Sequence, residues 1–188
     1  MPAIIEDLND LLSSTYILFF IHSSCNNKHM KKNQIIALYG IGIALYVVLS
    51  AFVNIPIINR IKLDLGYIVF AIYLSNFGMS ATIVGVAGCI IAELLKGGSF
   101  RLAWPIAQTF IGLSLGYLLP KTKNTWLKIL YTIIVVFIGI GLIKTVIEVA
   151  MYQFPLQAKF LSNCVAFLID SISMIIGILL SYKVKIKK

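Results

Sequence analysis

The sequence predicts an all-α integral membrane protein, a bundle of six transmembrane helices resembling one domain with little outside the bilayer, and three observations predict it. Hydrophobic residues make up 60% of the chain and charged residues 12%, with a mean hydropathy of +0.95, far from the roughly 45–50% apolar and 25% charged usage of soluble domains. The apolar residues gather in runs with polar residues between them. The basic residues lie at the ends of those runs, so a formal net charge of +9 reads as a topology signal and not as the basic stripe of a nucleic-acid binder. A spanning helix takes roughly 20 apolar residues, and 188 residues leave room for about six of them.

Residues 1–29 stand apart. Glu6, Asp7 and Asp10 precede the apolar run Tyr16–Ile21, which is too short to span, and the acidic start does not fit a signal peptide. Met30-Lys-Lys-Asn33 would itself make an ordinary start, so 1–29 is read as an extension that need not be native, and 30–188 as the membrane domain. Apolar runs follow at about Gln34–Val53, Gly66–Phe77, Ala81–Leu95, Leu102–Leu119, Leu127–Tyr152 and Phe160–Tyr182. The first carries Ala37, Gly40, Ala44, Val47 and Ala51 at steps of three and four, a smooth face where another helix can come close. The second and third are short and parted only by Gly78-Met-Ser80; six crossings is favoured over a re-entrant hairpin, because tilt and local thinning accommodate short spans. Pro105 falls in the first turn of the fourth run or kinks it, Pro120 closes that run, and Pro155 separates the fifth from the sixth.

Counting Lys and Arg sets the orientation. With both termini on one side, that side collects Lys28, Lys31, Lys32, Lys121, Lys123, Lys128, Lys183, Lys185, Lys187 and Lys188, against Arg60, Lys62, Lys96, Arg101 and Lys159 on the other. The bias puts both termini in the cytoplasm. The loops Asn54–Leu65, Lys96–Arg101 and Tyr152–Lys159 then face outward.

Binding chemistry concentrates on that outer side. The first loop holds Asn59, Arg60, Lys62 and Asp64, donors, acceptors and both charge signs between two apolar spans. Trp104 and Gln108, four apart, share a helix face, with Tyr152 and Gln153 ending the fifth run and Asn163 near the start of the sixth. A flat ligand could stack on Trp104 while the amides take its polar edge; the competing reading is an aromatic belt at the membrane interface. Three charges lie inside spans: Lys144 and Glu148, spaced to neutralise each other or to contact a ligand, and Asp170, beside Ser171 and Ser173, read as structural or gating ahead of ligand contact.

Other chemistries find little support. Gly112-Leu-Ser-Leu-Gly116 matches a hydrolase nucleophile pattern, but the histidines, His22 and His29, lie in the extension, so close helix packing explains the glycines better. Cys25, Cys89 and Cys164 lack metal-ligand spacing, and there is no metal motif or Walker A sequence. No catalytic residue, metal or cofactor is expected.

From Lys31 to Lys188 the chain resembles the S components of energy-coupling factor (ECF) vitamin transporters. The resemblance rests on the small-residue first helix, Lys62-Leu-Asp-Leu-Gly66, Ala92-Glu-Leu-Leu-Lys-Gly-Gly98, and Ala103-Trp-Pro105 followed by Gly112 and Gly116. It implies a multi-pass subunit in a bacterial plasma membrane that captures a water-soluble vitamin or precursor outside. Delivery inward would then involve a transmembrane coupling subunit and two cytoplasmic ATPases. It further implies a partner face at Ala37, Gly40, Ala44 and Ala51, and a ligand pocket from Asn59, Lys62, Asp64, Trp104, Gln108, Tyr152 and Asn163. The alternatives are a self-sufficient secondary transporter or channel for a small polar solute and, more remotely, a membrane serine hydrolase.

Overall fold

The structure, a computed structural model, describes residues 32–53, 55–58, 61–96 and 102–184, with the backbone alone at 55–58 and 61–63. The extension 1–29 and Asn59 lie outside the described residues. The chain divides into two compact units, Met1–Ala37 with Ile186–Lys188, and Leu38–Lys185; the packing described below lies within the second.

Helix α1 spans Lys32–Ala51. The segment expected to be an open polar loop instead forms an antiparallel hairpin, β1 (Ile55–Ile58) and β2 (Ile61–Leu63), with Ile55 opposite Leu63, Pro56 opposite Lys62 and Ile58 opposite Ile61. Its β-branched isoleucines suit extended backbone. Next comes α2 (Gly66–Leu95), in two α-helical arms, Gly66–Phe77 and Thr82–Leu95, joined by a 3-10 turn at Gly78–Ala81. Gly78 has φ +69, a backbone conformation glycine adopts without a steric penalty, and it lets the arms fold back on each other. The ring of Phe70 on the first arm fills the space over Gly85 on the second. Helices α3 (Ala103–Lys121), α4 (Thr125–Tyr152) and α5 (Leu156–Ser181) complete the bundle.

With the two arms of α2 taken as one, five helical segments lie among the described residues. By length and composition four are able to cross a membrane: α1, as Asn33–Ala51, α2, α4 and α5. The second and third apolar runs are the 12- and 14-residue arms of α2, each short of the roughly 20 residues a full crossing needs.

The core is a set of close approaches. Helix α5 runs alongside the first arm of α2, with Gly177 against Ile68 and Ala71, and Asn76 Nδ2 donating to the Val184 carbonyl at 3.3 Å. On α3, a Cβ at Gly112 would stand 2.6 Å from the Thr82 side chain, and one at Gly116 2.7 Å from the Met79 backbone. Packing against α2 thus accounts for the glycines of the G-x-S-x-G run. Pro105 lies in the first turn of α3 and Pro120 one residue before its end. Cys89 is buried and Cys164 half-buried, both as free thiols.

A candidate solute site where the fourth and fifth helices meet

Helix α4 is α-helical at Thr125–Val136 and Thr145–Tyr152 and a π-helix between, at Phe137–Lys144. The wider turns keep Val136, Ile140, Gly141 and Lys144 all facing the interior; such segments are rare and often mark functional sites. Gln153 then takes a left-handed conformation (φ 52) that ends the helix, and Pro155 opens α5, so the chain reverses and lays the start of α5 beside the end of α4.

This reversal builds a buried polar cluster around Asn163. Its Oδ1 accepts from Lys144 Nζ at 2.6 Å, and its Nδ2 donates to Thr145 Oγ1 at 2.9 Å and Glu148 Oε2 at 3.0 Å. Lys144 and Glu148 also form an ion pair at 3.8 Å, their side chains 6% and 1% exposed. Lys159 stands 3.7 Å from the same carboxylate, and the Lys144 ammonium lies over the Trp104 ring, 3.9 Å from its centroid. Buried charges persist only when paired and hydrogen-bonded, and here one asparagine supplies both an acceptor for the cation and a donor for the anion.

The sequence-derived candidates separate into three groups. Trp104, Asn163 and the Lys144–Glu148 pair come together directly, with the Lys144 ammonium over the indole ring. Gln108, one turn along α3, is buried and donates to Tyr46 Oη at 3.1 Å, while the Tyr152 hydroxyl accepts from the Leu102 amide at 3.3 Å and so ties α4 to the start of α3. Asp64 is held elsewhere, at the end of α1: its carboxylate accepts from Ser50 Oγ at 2.8 Å and from the Gly66 amide at 2.9 Å. Lys96, beyond the second arm of α2, donates to Ser50 at 3.4 Å and pairs with Glu93 at 3.3 Å. Burial pushes the Asp64 carboxyl above its usual range, opposed by the Ser50 bond, the Lys96 charge and the Gly66 amide. Of Lys62 the backbone is described, paired with Pro56 across the hairpin.

Sequence reasoning passed over Tyr46 and Tyr67, both fully buried, with ring centroids 6.4 Å apart. The available signal was a phenol in the middle or at the start of an apolar run, which in a bilayer demands a polar partner. On the outer surface of α1, Gly40 and Ala44 are exposed, Ala51 is half-buried and Val47 turns inward; Ala37 belongs to the first unit. Beside Gly40 there is open space. Among the described residues no three His, Cys, Asp or Glu gather as metal ligands.

A family model described as the S component of ECF-type riboflavin transporters matches residues 30–186. The chain belongs to this family of ECF S components. Such proteins are substrate-binding transporter subunits and not enzymes, and their spanning helices make this S component a multi-pass membrane protein. It is similar to a crystal structure of FolT bound with folic acid, with a TM-score of 0.65 and 24% identity, covering 81% of this chain and 96% of that one, a likeness of fold. Among curated relatives, a UPF0397 protein of Phytoplasma australiense is 33% identical over 174 residues, 82% of this chain and 87% of that protein. A UPF0397 protein of Lactococcus lactis subsp. cremoris is 26% identical over 161 residues, 79% and 88% of the two chains. The match to a Streptococcus thermophilus UPF0397 protein, 33% identical over 90 residues, spans 46% of this S component and only half of that relative's length.

Proposed function

We propose that this S component is the substrate-capture subunit of an ATP-driven ECF-type importer for a water-soluble vitamin or a related precursor. The observation that carries the reading is the polar cluster of Trp104, Lys144, Glu148 and Asn163 inside an otherwise apolar bundle, because intramembrane charges are costly and mark solute pathways and ligand sites. On this reading Trp104 offers its ring to a flat solute, Lys144 and Glu148 offer charge, and Asn163 holds both in place. In the same reading the segment that carries Asn59, Lys62 and Asp64 supplies a wall and lid of the pocket, with Gln108 and Tyr152 completing it.

The excess of lysines beside the termini supports an orientation with both ends in the cytoplasm and the cluster outside. Delivery inward falls to a transmembrane coupling subunit and two ATPases. Ala37, Gly40, Ala44 and Ala51 form the face that meets the coupling subunit, and the open space beside Gly40 supports that role.

Mass spectrometry of small molecules retained by the purified protein tests the capture role, and a vitamin-like solute released on denaturation is expected. Co-purification of ATPase subunits from the native membrane is expected as well. Ion-gradient-driven uptake by this chain alone in ATP-free vesicles would overturn the importer reading in favour of a secondary transporter.

A further inference from the structure

The cluster where α4 and α5 meet holds more positive charge than negative. Each helix contributes two residues four apart, Lys144 and Glu148 from α4 and Lys159 and Asn163 from α5. Both ammonium groups converge on the single Glu148 carboxylate, Lys144 on Oε1 at 3.8 Å and Lys159 on Oε2 at 3.7 Å. These are ion pairs without a hydrogen bond, since charge-assisted bonds run at about 2.7–2.9 Å. The bond that the carboxylate does accept comes from Asn163 Nδ2 at 3.0 Å, while Asn163 Oδ1 faces the Lys144 ammonium at 2.6 Å. With two cations on one anion, a unit of positive charge is left over, and it lies toward solvent: the Lys159 side chain is 21% exposed, against 6% and 1% at Lys144 and Glu148. Lys159 Nζ also stands 4.2 Å from the centre of the Phe154 ring, but among the described residues it has no hydrogen-bond acceptor for its three N–H groups. Asp170, the other buried carboxyl of this region, lies seven residues beyond Asn163, about 10 Å along α5.

We propose that the captured solute carries a carboxylate, and that this group enters beside Lys159 and is held by the Lys159 and Lys144 ammonium groups. The proposal rests on the capture reading above and names the chemical class of its ligand. One solute carboxylate balances the one excess charge and supplies the acceptor that Lys159 lacks. A phosphate monoester, with a charge of about −1.5 to −2 at neutral pH, overshoots that balance and is repelled by Glu148. A cationic solute brings a third positive charge to the same carboxylate, and a neutral one leaves the excess as it was and forgoes the stronger charge-assisted bonds. The Phe154 ring steadies the Lys159 ammonium without offering it an acceptor atom. As the solute displaces water around this half-exposed lysine, the attraction between the two charges strengthens.

Titration calorimetry on the purified protein in lipid nanodiscs tests this with matched probes that differ in charge at one group: biotin and biotinamide, pantothenate and pantothenol, nicotinate and nicotinamide. Neutral riboflavin and cationic thiamine complete the set. One of the three acids is expected to bind most tightly, and its uncharged counterpart about tenfold or more weakly. Lys159→Gln is expected to weaken that acid by about tenfold while leaving the counterpart within about twofold, and Lys159→Arg, which keeps the charge, to restore most of the loss. A fault of folding would weaken acid and counterpart alike, and the acid-to-counterpart ratio of the parent protein stands as a test even if neither variant purifies. Tightest binding of riboflavin or thiamine, an uncharged counterpart that equals its acid, or binding of no acid overturns the carboxylate. The capture reading is judged separately by the retained solutes: a neutral or cationic vitamin-like solute released on denaturation leaves capture standing and removes only the carboxylate.

Discussion

Two glycines of α1, two residues apart, face opposite ways. A Cβ on Gly42 would lie 2.7 Å from the Tyr73 ring, whereas one on Gly40 would meet nothing within 4 Å. The inward row repeats every four residues, and each member is mated. The Leu38 carbonyl accepts from Tyr73 Oη at 2.9 Å, Gly42 receives the same ring, Tyr46 takes Gln108 and covers Gly88, and Ser50 holds Asp64. The outward row of Gly40, Ala44 and Val48 is exposed. Inward smallness is explained by the neighbour that occupies the space. Outward smallness has no such neighbour, and because lipid tails accept a leucine as readily as a glycine, the proposed contact with a coupling subunit would account for it.

The largest effect is expected on the outward row. Gly40→Leu combined with Ala44→Leu should abolish co-purification with the coupling subunit and uptake, while the isolated subunit keeps its solute affinity within about twofold, since added bulk meets no internal neighbour. Normal assembly of that variant would reduce the row to plain lipid-facing surface. The next effect belongs to the inward charges. Glu148→Leu removes the carboxylate shared by Lys144, Lys159 and Asn163, and leaving the Lys144 ammonium buried without it should cost about 3–5 kcal/mol in detergent unfolding. The double variant Lys144→Met with Glu148→Leu should recover much of the loss, and equal instability of the single and double variants would show that packing, not charge, dominates there.

Hydropathy made the apolar segments legible because bilayer thickness imposes their length, and Gly66–Phe77 begins and ends where its apolar run does. The fold-back at Gly78 was not, since the same Gly-Met-Ser triplet serves a turn between two full crossings or between two short arms. Nor was the π-helix at Phe137–Lys144, which leaves no mark on composition yet sets which way Lys144 points. In the site, the i and i+4 spacing of Lys144 with Glu148 gave a shared face, because helix geometry alone fixes it. That Asn163 bridges the pair, and that Asp64 is clamped by Ser50 and the Gly66 amide, depends on how distant segments meet. Tyr46 and Tyr67 were hidden for the same reason, as a tyrosine in an apolar run reads as an interface anchor until its neighbours are known.

Gly42→Leu sharpens the comparison on the mated face. It drives a side chain into the Tyr73 ring and the Tyr73–Leu38 hydrogen bond, and overpacking of this kind costs about 1–3 kcal/mol. Gly40→Leu alone should stay within about 0.5 kcal/mol of the parent in the same unfolding measurement. Equal losses at the two glycines would erase the distinction between the faces.

The smallest effect is a pH dependence at the end of the inward row. Burial raises the Asp64 carboxyl above its ordinary value of 3.8, with Ser50, Lys96 and the Gly66 amide pulling the other way. A carboxyl that holds its proton more tightly folded than unfolded binds more protons in the folded state between the two values. Stability from this group therefore falls as pH rises from about 3.8 to the raised folded value, and stays level above it. Asp64→Asn should remove that slope from melting temperatures measured across the acid range, and Ser50→Ala, which deletes a bond favouring the charged form, should carry the decline to higher pH. A parent protein that instead gains stability over the same range as the carboxylate ionises would mean that Ser50, Lys96 and the Gly66 amide outweigh burial. The end of α1 would then be held by charge as firmly as Gly42 is held by contact.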